Sequence, residues 1–210
     1  MKTFFYYTPL DRTNSVQKGF TLIETLVAIT IISVTLVAPF YAVEQSLTAS
    51  FTARDQLEAS MLAQEGIEYV REIRNNNYLT YYNTASPPAE SWLYGLNGQN
   101  GSDCRANFKC TVDPTRSLSQ GIQQCGGDFG RACDPLNIYT ASNPTPFLYN
   151  QQPASQTNVG SKFTRWIQLK AVSYGGVRDP NEEEVISTVT WSTNNVPHTT
   201  AIVEYIKNTN

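Results

Sequence analysis

The feature that most constrains this chain is the run Thr25–Val43, 19 residues without a charge, with an acid, Glu24, directly before it. About 20 apolar residues cross a hydrocarbon layer as a helix, because about 1.5 Å of rise per residue then spans about 30 Å. Lys2, Arg12 and Lys18 precede the run against Asp11 alone, an excess of positive charge that keeps this end in the cytoplasm. A secretory signal would place an apolar core of about 7 to 15 residues before a small-x-small cleavage site. Here the run ends in APFYAVEQS, where Phe40 and Tyr41 crowd the alanine positions, so the segment reads as one retained in the mature protein. An acid in hydrocarbon costs about 2.5–3.5 kcal/mol on insertion scales. Glu24 therefore needs either a cationic partner or a place at the headgroup boundary.

The stretch KGFTLIE, Lys18–Glu24, consists of a basic residue, a glycine, a phenylalanine, three mostly apolar positions and a glutamate. It resembles the processing motif of type IV prepilins and type II secretion pseudopilins. The resemblance implies a leader over residues 1–19 removed by a prepilin peptidase between Gly19 and Phe20, and N-methylation of Phe20. It also implies a transmembrane and assembly helix over 20–43, with Glu24 as the fifth mature residue pairing with the Phe20 amine of a neighbouring subunit. The partners so implied are other pilin or pseudopilin subunits, the peptidase, an inner-membrane assembly platform and membrane lipid. The implied location is the inner membrane, single-pass with the head outside the cytoplasm, and then a surface pilus or periplasmic pseudopilus. Pro39 removes one helical hydrogen bond and clashes with the carbonyl four residues back, which predicts a kink or local unwinding over Thr35–Pro39. Family members often carry their proline a little further along.

Residues 44–77 continue the helical pattern in strong helix formers. Apolar residues recur three or four apart at Val43, Leu47 and Phe51, at Leu57 and Met61, and at Ile67, Val70 and Ile73. Gly66 costs about 1 kcal/mol relative to alanine in a helix and marks close packing. Asn75, Asn76 and Asn77 read as the helix end, since asparagine tolerates the left-handed conformation found there. The segment LAQEGIEYVREIRNNNY looks like the handle-to-head junction of minor pilins of the PilV kind.

Residues 78–162 hold seven of the 11 prolines and eight of the 12 glycines, so this region reads as loops with short strands, one of them Phe108–Val112. SQTNVGS, beginning at Ser155, reads as a mobile loop. All four cysteines, Cys104, Cys110, Cys125 and Cys133, fall in this region. An even number in an exported domain points to two disulfides among three possible connectivities. Loop-closure entropy favours Cys104–Cys110 and Cys125–Cys133. Zinc is the competing reading, but five and seven intervening residues miss the usual two to four, and the single histidine, His198, is remote. Free buried thiols are a third.

Residues 163–210 contain Phe163–Tyr174, Glu184–Ser192 and Thr199–Lys207, each β-branched and aromatic with period-two alternation. Ile167, Leu169 and Ala171 share one face, as do Val185, Ser187, Val189 and Trp191. Joined by GGVRDPNEEE and TNNVPH, the three make an antiparallel meander. The half-helix Phe51–Ile73 is expected to cover its apolar face. The fold class is therefore α+β: a long N-terminal helix packed on a C-terminal antiparallel sheet, pilin-like, with a loop-rich insertion.

RDPNEEE, Arg178–Glu184, offers acids for calcium around Glu182, yet it lacks the alternating ligands and central glycine of a calcium loop, and a solvated acidic turn is the simpler reading. His198 reads as an exposed loop residue. No phosphate loop, nucleophile elbow or triad is present in the sequence, so no enzyme activity and no cofactor are expected. A formal net charge of −3 gives no polyanion-binding surface, and the arginines in RSLSQ and FGRACD are isolated, so no nucleic-acid partner is expected. The functional reading is a minor structural subunit of a type IV pilus. A minor pseudopilin of a type II secretion system and a pilus-tip adhesin or DNA-uptake subunit are the alternatives.

Overall fold

A continuous apolar run, followed by strong helix formers with apolar residues three or four apart, carries the chain into one helix, α1, Leu22–Tyr81. The computed structural model describes residues 19–99, 102–117, 120–127, 130–140, 148–152 and 158–208. The leader up to Lys18 and the first part of SQTNVGS lie outside the described residues. The chain divides into two compact units, Met1–Ala49 and Ser50–Asn210.

In the first unit α1 runs through Pro39 without a break in helical assignment. Of the kink or local unwinding expected at Thr35–Pro39, the unwinding is absent. The helix also does not stop at the asparagines. Asn77 donates to the carbonyls of Trp92 at 3.2 Å and Tyr94 at 2.9 Å, while Asn75 accepts from Arg74. With those side chains engaged elsewhere, they do not bend the backbone, and the helix continues one further turn to Tyr81.

The second unit is built on a five-stranded antiparallel sheet in the order β2-β1-β6-β7-β8. Its strands are β1 (Lys109–Val112), β2 (Ile122–Cys125), β6 (Thr164–Tyr174), β7 (Val177–Thr193) and β8 (Val196–Lys207). A small three-stranded sheet sets β3 (Asn137–Tyr139) between β4 (Leu148–Asn150) and β5 (Asn158–Gly160). The strand expected at Phe108–Val112 is β1; the others between residues 78 and 162 are too short to show a period.

Both turns of the meander are two-residue hairpins. Gly175 and Gly176 have φ of +60° and +84°, and Asn194 and Asn195 have φ of 51° and 63°. Positive φ at both central positions is the type I′ turn, whose twist matches that of the strands. The connection read as GGVRDPNEEE is therefore only the two glycines. Strand β7 resumes at Val177, and Arg178–Glu184 lies in a strand, not in an acidic turn.

Alternation sets the buried face. Arg165, Ile167 and Leu169 of β6 and Val185, Ser187, Val189 and Trp191 of β7 are buried, whereas Ala171 is exposed next to an irregularity in the β6–β7 register. Helix residues Ile67, Val70 and Ile73 pack with Ile167, Leu169, Val185 and Ile206 in one cluster. Ala59, Leu62 and Ala63 pack with Phe163, Val189 and Trp191 in another. The expected cover is thus present, with one correction. Leu57 and Met61 are 58% and 63% exposed, and small residues, Ala59, Ala63 and Gly66, make the contact instead. An alanine built at Gly66 would put its Cβ 2.4 Å from Ser187 Oγ, so helix and sheet approach too closely for larger side chains.

Candidate assembly site at the amino terminus

Between Gly19 and Val43 the only charged side chain is Glu24. Thr21 accepts the Glu24 N–H on its hydroxyl at 3.3 Å and the Thr25 N–H on its carbonyl at 3.2 Å. Thr21 is therefore the N-cap and Glu24 the third helical residue, where a carboxylate meets the positive end of the helix dipole. The spacing T-x-x-E is that of a capping box. It is the signal in the sequence from which the start of the helix at Leu22 could have been read. Gly19 and Phe20 stay outside the helix, Phe20 is 81% exposed, and a Cβ at Gly19 would meet nothing within 4 Å. The Gly19–Phe20 peptide is accordingly outside regular structure and open to approach.

Beyond the cap every residue from Leu22 to Val37 is exposed. The polar side chains among them are turned back on the helix. The hydroxyls of Thr25, Thr30, Ser33 and Thr35 donate to the carbonyls of Leu22, Val27, Ile29 and Ile32 at 2.8, 2.8, 2.8 and 3.0 Å. Apart from Glu24 this surface carries no unmet hydrogen-bonding side chain, which is what an apolar surrounding requires. This helix is the one among the described residues long and apolar enough to cross a membrane. A helix apolar on all sides is stable only inside lipid or against other apolar helices.

The other sites considered in the sequence resolve into structural roles. Cys104 is bonded to Cys110 and Cys125 to Cys133, with no free cysteine. The first bond ties the segment before β1 to that strand, and the Leu169 N–H donates to the Cys104 carbonyl at 2.7 Å, fastening the same segment to β6. The acids near Glu182 are held by the protein itself. Glu183 is buried and receives Arg178 at 2.5 Å, and Glu182 accepts from the Tyr174 hydroxyl at 2.7 Å. Arg178 also reaches Glu90 at 2.8 Å. Among the described residues no group of three His, Cys, Asp or Glu side chains stands ready for a metal ion. His198 stacks on Trp191, ring centroids 5.3 Å apart.

Sequence reasoning missed one polar centre. Arg165 is fully buried, donating to the Leu62 carbonyl at 3.0 Å and the Val112 carbonyl at 2.7 Å and pairing with Glu65. It pins α1, β6 and β1 at one point. An arginine on the inward phase of β6 was the available signal.

Residues 14–38 match the family model described as the prokaryotic N-terminal methylation motif. No curated protein and no solved structure matches the chain. A prokaryotic N-terminal methylation motif thus heads an exposed apolar helix, on an α+β chain of pilin-like arrangement, and this supports a type IV prepilin-like family.

Proposed function

We propose that this chain is a minor structural subunit of a type IV pilus or a closely related filament, inserted in the inner membrane by α1, cleaved after Gly19 by a prepilin peptidase and methylated on Phe20. The observation that carries this reading is the methylation motif over residues 14–38 placed directly before a helix whose first 16 residues are all exposed. Assembly works by packing and charge pairing, not by catalysis. Leu22–Val43 of successive subunits bury one another's apolar surface, and the Glu24 carboxylate takes the Phe20 amine of a neighbour as its cation. That pairing answers the cost of an acid at this depth, because an ion pair in a low-dielectric setting is strong when its partner is in place. The minor-subunit assignment, of the PilV kind, rests on the large irregular head and the junction LAQEGIEYV. The head then lies outside the cytoplasm, consistent with two disulfides.

The test is intact mass and N-terminal sequencing of the protein recovered from membranes of cells that express a prepilin peptidase. A chain beginning at methylated Phe20 is expected. A chain still beginning at Met1 overturns the reading and leaves a signal-anchored membrane protein.

A further inference from the structure

A cleft of about 350 Å³ opens in the second unit between α1 and the small three-stranded sheet. Residues three and four apart stand on one helix face, so α1 supplies Phe51, Arg54, Asp55 and Glu58 as one wall. Ile138 of β3 and Tyr149 of β4 form the wall opposite, and Lys162 and Phe163 close the cleft just before β6. The volume is at the low end of the roughly 300–1,000 Å³ of small-ligand sites, which suits a ligand of one ring.

The walls are fixed by contacts within the head. Lys162 pairs with Asp55 at 2.5 Å and lies over the Phe163 ring, 5.5 Å from its centroid. The Tyr149 hydroxyl donates to Glu58, and its ring meets Phe163 edge-on with centroids 6.4 Å apart. Burial, and then the bond to Glu58, push the Tyr149 phenol above its ordinary value, so it stays a donor. One group is left over. Arg54 is exposed and makes no hydrogen bond and no ion pair among the described residues, although it stands close enough for its charge to act on both Asp55 and Tyr149. Phe51, three residues before it, is 60% exposed.

These groups select a ligand by what each still lacks. An unpaired guanidinium beside apolar rings calls for a carboxylate, which accepts two of its N–H groups side by side. A cation is disfavoured by Arg54 and Lys162 together. The Glu58 carboxylate keeps acceptor sites beyond its bond from Tyr149, and the Lys162 ammonium keeps donors beyond its bond to Asp55. A purely apolar carboxylate would cover these groups without replacing their water, whereas a ring bearing hydroxyls replaces it. The C–H face of such a ring is apolar and has Phe51, Ile138 and Tyr149 to pack on. We propose that this cleft binds a sugar ring carrying a carboxylate, with the carboxylate on Arg54, the hydroxyls between Lys162 and Glu58, and the ring against Phe51 and Tyr149. The site lies wholly within Ser50–Asn210 and does not rest on the filament reading. Two sources share this chemistry, a uronic acid of a polysaccharide and the lactyl-bearing amino sugar of the bacterial cell wall.

The experiment uses the full-length chain in a zwitterionic detergent without a sugar headgroup, and reads binding by saturation-transfer NMR of the ligand's ring protons during titration. D-Glucuronate and N-acetylmuramate are the probes. Saturable binding of at least one is expected, and the tighter of the two identifies the source. D-Glucose, which lacks the carboxylate, and benzoate, which lacks the hydroxyls, are each expected to bind at least about tenfold more weakly, the size of one hydrogen bond to a charged group. Arg54→Gln is expected to weaken the sugar acid by a similar factor, and Arg54→Lys by less, since it keeps the charge and loses the fork. Phe51→Ala, at a second exposed position, is expected to weaken it as well, with the circular dichroism spectrum retained in all three variants. Absence of saturable binding by either sugar acid overturns the proposal. So does binding that Arg54→Gln leaves unchanged, or benzoate binding as tight as that of the sugar acids, which reduces the cleft to an unselective anion patch.

Discussion

Gly66 shows how single side chains decide whether the head closes. A Cβ there falls 2.4 Å from Ser187 Oγ and 3.3 Å from Ser187 Cβ, and Ser187 is itself fully buried with a hydroxyl that finds no partner among the described residues. Overpacking of this kind costs about 1–3 kcal/mol. Gly66→Ala is therefore expected to lower the unfolding midpoint, and Ser187→Ala alone to cost little, because its hydroxyl makes no bond to lose. In the Ser187→Ala background the cost of Gly66→Ala should shrink, since the closest atom is gone; simple additivity of the two in denaturant titrations would refute the clash. At the other end of the chain, Glu24→Ala is expected to leave insertion and cleavage intact, because the cap on Thr21 and the scissile peptide are unchanged, and to reduce incorporation into filaments. Normal incorporation, measured by immunoblot of sheared filaments, would remove the charge-pair role.

At the scale of elements, helix and sheet are joined by ionic contacts whose pH dependence has a defined sign. Asp55 on α1 receives Lys162 at 2.5 Å and the Thr193 hydroxyl at 3.0 Å. Burial pushes its carboxyl up, but the hydrogen bonds from Lys162 and Thr193 and the charges of Lys162 and Arg54 outweigh that and hold it below the ordinary carboxylate value. A carboxylate depressed on folding adds stability above its unfolded pKa and loses it as pH falls through the folded one. Acid unfolding of wild type should therefore show a loss below about pH 4 that is smaller in Lys162→Met; an identical pH profile in the two proteins would exclude the contact as a source. The two disulfides act on the same unit from the unfolded side. Closing loops of six and eight residues in sequence separation is worth about 2–3 kcal/mol each in the chain-entropy model, so reduction should lower the melting temperature without changing the N-terminal helix. These elements were unequally legible in the sequence. The long helix, β1 and the three meander strands announce themselves by period and composition. The acidic segment does not, because Arg178, Glu182 and Glu183 look solvated until Tyr174 and β6, across the Gly175–Gly176 turn, and Glu90, distant in sequence, supply partners. Likewise Asn75–Asn77 read as a helix end on local preference alone, and tertiary hydrogen bonds from Asn77 reversed it.

At the scale of the whole molecule, burial and motif divide between the two units. Among the described residues every buried apolar one, from Ala59 to Ile206, belongs to Ser50–Asn210, and the methylation motif over 14–38 belongs to Met1–Ala49. The methylation motif was legible for the same reason that the fold of the head was less so. A motif is carried by consecutive residues, so Gly19, Phe20 and Glu24 can be read in one line, whereas a core such as Ile67 with Ile167 and Val185 is made by residues about a hundred apart. A chain beginning at Ser50 retains the complete core, both disulfides and the Arg165 centre, and needs none of the apolar surface of the first unit. Exported to an oxidising compartment, it is expected to be soluble without detergent and to melt in a single transition, with a midpoint within a few degrees of that of the full chain in detergent, as a single domain of this size should. A melt that is broad, or one that appears only with residues 20–49 restored, would show that the first unit contributes to folding and does more than anchor and assemble.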